Sequence, residues 1–370
     1  MNPTADSLRQ WLALRKAPGI GSRRFLAILN HYQQISAAFE DGFKLPNFPT
    51  KARAYLRNPD WQQIDKDIHW AQQPGCAIIC LTDPRYPELL KNIPDPPPLL
   101  YTKGNLNCFN DPLIAIVGSR RASKSGIQTA HDFAKEFAKY GISSSSGLAL
   151  GIDSATHRGS LAGSGSTIAV LGSGIEQIYP KVNQKLAEAI CDKGLLVSEH
   201  PPETPPHARH FPPRNRIISG LALGTLVVEA SIKSGSLITA RATMEQGREV
   251  FAIPSSIHNP MAKGCHQLIK EGAKLVETVY DVMSELKQPL SRFTHEPTTD
   301  SSPPKEQEKS SAEPETQSEL LQQLGFEPLS IDQLVAQTGN SVQQIQTELM
   351  DLELDGTVET LPGGLYLRTR

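Results

Sequence analysis

Between Pro205 and Arg216 the chain carries three arginines (Arg209, Arg214, Arg216), two histidines (His207, His210), four prolines, one aromatic (Phe211) and no acidic residue. Guanidinium forks hold phosphate bidentately. A ring set among cations stacks on a base face, worth ~1–3 kcal/mol per base. The stretch PPHARHFPPRNRIISG therefore reads as a stiff cationic loop suited to single-stranded nucleic acid. A plainer reading stands beside it, with Phe211 anchoring the loop in a core and Asn215 satisfying backbone groups.

Cations, hydroxyls and glycines recur wherever an apolar run ends. Gly118-Ser119-Arg120-Arg121 follows LIAIV, and Lys124 comes three residues later. Ser146-Gly147 closes the next run, Lys181 follows Tyr179-Pro180, and Ser234-Gly235-Ser236 with Thr239 sits where a helix would begin. Free N–H groups and small hydroxyls at such places suit phosphate. Asp153 fits the N-cap of a following helix, and His157 lies one helical turn beyond it. No Walker loop, complete dinucleotide fingerprint, GxSxG elbow or HExxH occurs. His207 and His210 lack a third ligand at metal spacing. The inventory is one of binding groups, with no acid–base pair, cofactor motif or metal set, so we expect no enzyme.

The elements that must position these groups follow from pattern. Apolar runs begin at 113, 141, 167, 195, 225, 249 and 274, and helical stretches separate most of them. Continuous apolar strands alternating with helices argue a parallel sheet covered on both faces. In such doubly wound, Rossmann-like α/β folds ligands bind beyond the carboxyl ends of the strands. We expect a helical N-terminal domain over residues 1–80, with APGIG at 17–21 either an ordinary corner or a hairpin that approaches a DNA backbone. A packed proline-rich connector (81–112) and the Rossmann-like domain (113–286) should follow. A disordered linker (287–318) and a winged-helix domain (319–370), with Ser330 and Ser341 as N-caps and a hairpin tip at 362–364, complete the expectation.

Composition sets further bounds. The formal net charge of −2 hides an asymmetry: residues 319–370 carry eight acidic and two basic residues, leaving the first 286 cationic. A winged helix of net charge −6 is poorly suited to duplex phosphate. We expect it to meet a protein, or to fold back on the basic pocket. Five cysteines without a CxxC pair suit a reducing compartment, and no apolar run reaches membrane length. A cytoplasmic protein without membrane attachment is expected.

In order, GSRRASKSG, SGLALGIDSATHRG, TIAVLGSGIEQIYPKVNQKL, FPPRNRIISGL, VVEASIKSGSLITARATMEQGR and GCHQLIKEGAKLV resemble the DNA-processing protein family DprA, also called Smf. Departures are Ser143, Ser144 and Ser145 in place of a valine run, Ser255 after Pro254, and Ala208 where a basic residue is common, with Arg209 next to it. The resemblance implies an extended Rossmann fold that homodimerises and binds single-stranded DNA. It also implies protection of incoming DNA in natural transformation and loading of the recombinase RecA. It places the pocket on Gly118, Ser119, Arg120, Lys181, Phe211, Arg214, Asn215 and Arg216. Two other uses of the same cleft are a nucleotide phosphoribohydrolase built around Glu229 and Ser234–Thr239, and a small-nucleotide sensor.

Overall fold

The computed structural model describes residues 5–163, 165–293, 320, 324, 328–354, 357–361 and 364–368. The chain forms two compact units, one up to His295 and one from Glu296 onward.

The first unit opens with five helices: α1 (Ala5–Lys16), α2 (Ser22–Tyr32), α3 (Ile35–Asp41), α4 (Thr50–Arg57) and α5 (Trp61–Ala71). Their apolar faces meet in a core of Leu12, Leu14, Phe25, Ile28 and Ile64. The same hydrophobic cluster runs on without interruption through Ile79, Leu99 and Leu100 to Ala169 and Leu171. Polar contacts reinforce the junction. Tyr101 donates its hydroxyl to Asp67 at 2.9 Å, Lys16 pairs with the same carboxylate, and the Trp70 indole donates to Glu176 at 2.9 Å.

A nine-stranded sheet follows: β1 (Cys76–Cys80), β2 (Leu99–Gly104), β3 (Leu113–Val117), β4 (Ser143–Ser146), β5 (Thr167–Leu171), β6 (Leu195–Ser198), β7 (Gly224–Val227), β8 (Glu249–Ala252) and β9 (Lys274–Leu275). Its order is β1-β2-β6-β5-β4-β3-β7-β8-β9. The seven expected runs are the parallel strands β3 to β9. The proline-rich stretch is more than a connector: β2 lies in it. With β1, read as the tail of the helical segment, it extends the sheet antiparallel to β6. Leu90, Leu99 and Leu100 are fully buried, as a packed segment requires.

Helices cover both faces. They are α6 (Glu88–Lys91), α7 (Lys124–Lys139), α8 (Ile152–Ala162), α9 (Gln184–Lys193), α10 (Phe211–Leu221), α11 (Ser236–Glu245), α12 (Lys263–Lys270), α13 (Val279–Glu285) and α14 (Lys287–Ser291). Alternation along β3 sends Ile114 and Ile116 into one cluster with α7 and α13, and Leu113, Ala115 and Val117 into the other with α10. Strand β4 is four serines, all buried. Their hydroxyls are satisfied: Ser143 reaches Asp111 and Ser166, Ser144 reaches Ser160 and Thr167, Ser145 donates to the Ile218 carbonyl, and Ser146 to that of Ile116. A polar strand in a dry sheet is tolerated on that condition.

The expected linker lies outside the described residues except for its start, where Lys287–Ser291 forms α14. In the second unit, β10 (Leu329–Ser330), α15 (Ile331–Thr338), α16 (Val342–Leu354), β11 (Val358–Leu361) and β12 (Leu365–Arg368) make a small domain with sheet order β10-β12-β11. Ser330 caps α15 by accepting from the Gln333 N–H, and Ser341 accepts from that of Gln344. Leu334, Ile345, Leu349 and Val358 form its core with Leu320 and Leu324. Of the expected hairpin tip, Pro362 and Gly363 lie outside the described residues.

Candidate nucleic-acid interface

Strand order reverses about β3, with β4 on one side and β7 on the other. Such a reversal opens a crevice beyond the carboxyl ends of the strands. Here it is a cavity of about 470 Å³. Its walls are Gly118–Arg121 after β3, Ala149 and Asp153 after β4, Phe211, Arg214 and Asn215 on α10, and Ser231, Ser234–Ser236 and Thr239 before and on α11. Ile218, Ile238 and Met261 add apolar surface.

The segment read as a loop is one only as far as His207; a short 3-10 turn (Ala208–His210) follows, and from Phe211 onward it is α10. Phe211 begins that helix with Pro212 and Pro213 in its first turn, where missing N–H groups cost nothing and the fixed φ suits a helix. Phe211 is half-buried. The Arg120 guanidinium carbon lies 5.7 Å from its ring centroid, that of Arg214 6.0 Å, and the Tyr179 ring 5.7 Å away at 47°. Gly172 makes room for it, since a Cβ there would stand 2.7 Å from the Phe211 Cδ1.

Arg214 is buried behind that ring. One terminal nitrogen donates to the carbonyls of Gly147, at 2.8 Å, and Val170, while Nε donates to the Asn215 side-chain oxygen at 3.2 Å. A Cβ on Gly147 would lie 2.6 Å from the guanidinium, so a side chain there would displace it. Burial pulls Arg214 down to about 10, against the attraction of Asp153. The Asp153 carboxyl is itself pushed up by burial, opposed by Arg214 and by the Ala149 and Gly147 N–H groups it accepts. Asp153 is not the N-cap expected: Gly151 holds that position, and Asp153, inside the first turn of α8, accepts from the loop before the helix and serves as the counter-charge to Arg214.

Asn215 ties α10 to the opposite wall, donating to the Gly235 carbonyl at 3.3 Å. There the Ser234 and Ser236 hydroxyls bond each other at 2.7 Å. Ser119 is held by its own N–H on the Glu229 carbonyl at 2.7 Å, and its hydroxyl accepts from the Arg121 N–H. Arg120 and Arg121 are exposed at the mouth.

The structure brings together Gly118, Ser119, Arg120, Arg121, Phe211, Arg214, Asn215, Ser234, Gly235, Ser236 and Thr239. It places six expected residues elsewhere. Arg216 stands on the far side of α10, because residues two apart on a helix point nearly opposite ways. There it forks onto Glu199 at 2.8 and 3.3 Å, pairs with Asp95, and donates to Ser22 of α2. It thereby joins α10 to the segments that carry Glu199 and Asp95 and to the start of α2. Ser146 is turned into the sheet, and Gly147 contributes space and a carbonyl. Lys124, Lys181 and Arg209 are exposed outside the cavity lining, on α7, on the turn after β5 and on the turn before α10. His157 does not face the cleft. It is fully buried with Nδ1 at 2.8 Å from the Thr167 hydroxyl, and burial holds it neutral, down to about 3. Ala149, Ser231, Ile238 and Met261 carried no signal in the sequence, since only the closed sheet makes them neighbours. Glu229 is committed to the start of α7, accepting from the Ser123 hydroxyl at 2.6 Å and its N–H at 2.9 Å, and it does not line the cavity.

All five cysteines are free thiols. Among the described residues no cluster of His, Cys, Asp and Glu could hold a metal, and no helix is long and apolar enough to cross a membrane.

Residues 77–287, which contain every residue of the cavity, match the family model described as DNA recombination-mediator protein A. The chain belongs to the DNA recombination-mediator protein A family. Residues 302–364 match the DprA winged helix domain, in accord with the small second unit. Among relatives in this recombination-mediator family, the chain is 39% identical to Protein Smf of Escherichia coli (strain K12), over 86% of this chain and 84% of that one. The X-ray structure of DNA processing protein A from Streptococcus pneumoniae superposes with a TM-score of 0.68 at 37% identity, covering 75% of this chain and 97% of that one. DNA processing protein A from Helicobacter pylori, whose structure concerns a single-stranded DNA binding mode, gives a TM-score of 0.51 at 28% identity over 55% of this chain and 93% of that one.

Proposed function

We propose that this recombination-mediator protein binds single-stranded DNA in the crevice beyond β3, β4 and β7, protects it, and loads the recombinase RecA onto it in natural transformation, acting as a cytoplasmic homodimer. One observation carries the DNA reading: a half-exposed Phe211 ring with Arg120 and Arg214 guanidiniums about 6 Å from its centroid, at the mouth of a cavity walled by hydroxyls and glycines. The ring accepts a base face, and the exposed cations accept the phosphates on either side. Similarity to the Helicobacter pylori protein supports the same assignment. The phosphoribohydrolase reading loses its carboxylate, because Glu229 already serves the start of α7.

The test is fluorescence anisotropy of a labelled oligo-dT with the full chain at several salt concentrations. Each phosphate neutralised should contribute about −0.7 to the log–log slope. Arg120→Ala should weaken binding and flatten that slope by roughly one phosphate. Phe211→Ala should weaken binding about five- to hundredfold with little change in slope. Binding indifferent to both substitutions would remove the DNA from this crevice. RecA filament assembly on protein-coated single strands then tests the loading step.

A further inference from the structure

The loop from Gly172 to Asn183, between β5 and α9, is fixed at both ends. The Ser173 hydroxyl donates to the Gln177 carbonyl at 2.6 Å, and the Gly174 N–H to that of Thr204 at 2.8 Å. At the other end the buried Asn183 amide donates to the Leu148 carbonyl and the Ser154 hydroxyl, both at 2.9 Å. Between these anchors the loop holds Tyr179, 47% exposed, Val182, 74% exposed, and Lys181 out to water, beside Glu176 and Gln177. A tyrosine that merely closed the core would be covered. This one instead sets its ring 5.7 Å from Phe211, tilted by 47°.

We propose that Tyr179 is a second base-stacking subsite, taking the nucleobase next to the one on Phe211. This rests on the single-stranded DNA reading above. Two rings inclined at that angle cannot clamp one base between parallel faces, so they offer separate faces to successive bases. The strand bends as it passes from one ring to the other, with Lys181 placed for the phosphate beyond. A ring held in a fixed loop loses little freedom when a base covers it, and every base has a face to give.

The test uses the full chain and three oligonucleotides of one length: oligo-dA, oligo-dT and a strand of abasic deoxyribose phosphates. Tyr179→Ala should weaken dA and dT about five- to hundredfold, dA more because purines present a larger face. The abasic strand should bind as to wild type, and the salt slope should not move. Tyr179→Phe, which keeps the ring, should restore affinity. Unchanged dA and dT binding in Tyr179→Ala would overturn the proposal. So would an equal loss on the abasic strand, which would make Tyr179 a support for the phosphate contacts. If wild type does not bind dT in a manner dependent on Arg120, the DNA reading itself fails, and this subsite with it.

Discussion

Arg214 and Arg216 show how far residue type alone can mislead. Both belong to one cationic motif in the sequence, Arg214 buried and Arg216 partly buried, yet they serve opposite faces of α10. Arg216 neutralises the buried Glu199 and holds Ser22. Arg216→Ala should therefore cost about 3–5 kcal/mol, because it strands a buried carboxylate. A drop in melting temperature, with the DNA affinity of the folded fraction kept, is the expected result. Burial alone would raise the Glu199 carboxyl, but the Arg216 pair overrides it and holds it below its ordinary value. A depressed carboxyl contributes stability fully above its unfolded value of about 4.3 and loses it as pH falls through the folded value. His157 acts earlier on the same acid limb. It stays neutral in the fold down to about 3, whereas the unfolded imidazole takes a proton near 6.5. The unfolded chain binds more protons below that pH, so stability should fall from about pH 6.5 downward. Calorimetry between pH 8 and 5 would show it, and His157→Gln should flatten that part of the curve. An equal melting temperature at pH 7 and 5 in wild type would contradict this account.

At the scale of elements, the strands were legible where burial on both faces makes an apolar run continuous, as in LIAIV and TIAVL. The serine strand β4 was legible by its place between helices rather than by its residues. Strands β1 and β2 were not legible. CAIIC is short and merges with the helices before it, and the prolines ahead of Leu99 suggested extended chain without a partner. Strand β2 takes its hydrogen bonds from β1 on one side and from the β6 edge, far off in sequence, on the other. The cavity's cationic wall was visible because charges without acidic neighbours stand out. Its counter-charge Asp153 was not, because a helix-capping role accounted for it. The packing of elements yields its own prediction. Gly172→Ala places a methyl against the Phe211 ring, while every cation remains. Oligo-dT affinity should fall by an amount approaching that of Phe211→Ala, with the salt slope kept. Anisotropy at two salt concentrations would decide it.

For the whole molecule the dominant feature is the division of charge. Residues 1–286 are cationic and the second unit is anionic. The second unit has its own core and capped helices, and resembles a DNA reader in fold, but its surface charge opposes a polyanion. We expect residues 319–370 alone to show no duplex binding at physiological salt. A chain ending at residue 293 should bind oligo-dT at least as tightly as the full protein. Duplex retardation by the isolated domain would refute the first expectation, and a large affinity loss on truncation the second. A tighter shortened chain would indicate that the acidic unit competes for the crevice.

The continuous core between the N-terminal helices and the sheet also supplies a built-in optical reporter. All three tryptophans, Trp11, Trp61 and Trp70, sit in α1 and α5, and none is near the crevice. Indole emission therefore watches the helical layer alone, while far-ultraviolet circular dichroism is dominated by the larger sheet-bearing body. Because Trp70 is bonded to Glu176 across the junction, its emission should shift as that layer lifts away. Coincident denaturation curves by the two signals would mean that the helices and the sheet melt as one cooperative block. An emission change that comes first would mean that the helical layer peels off while the sheet still stands.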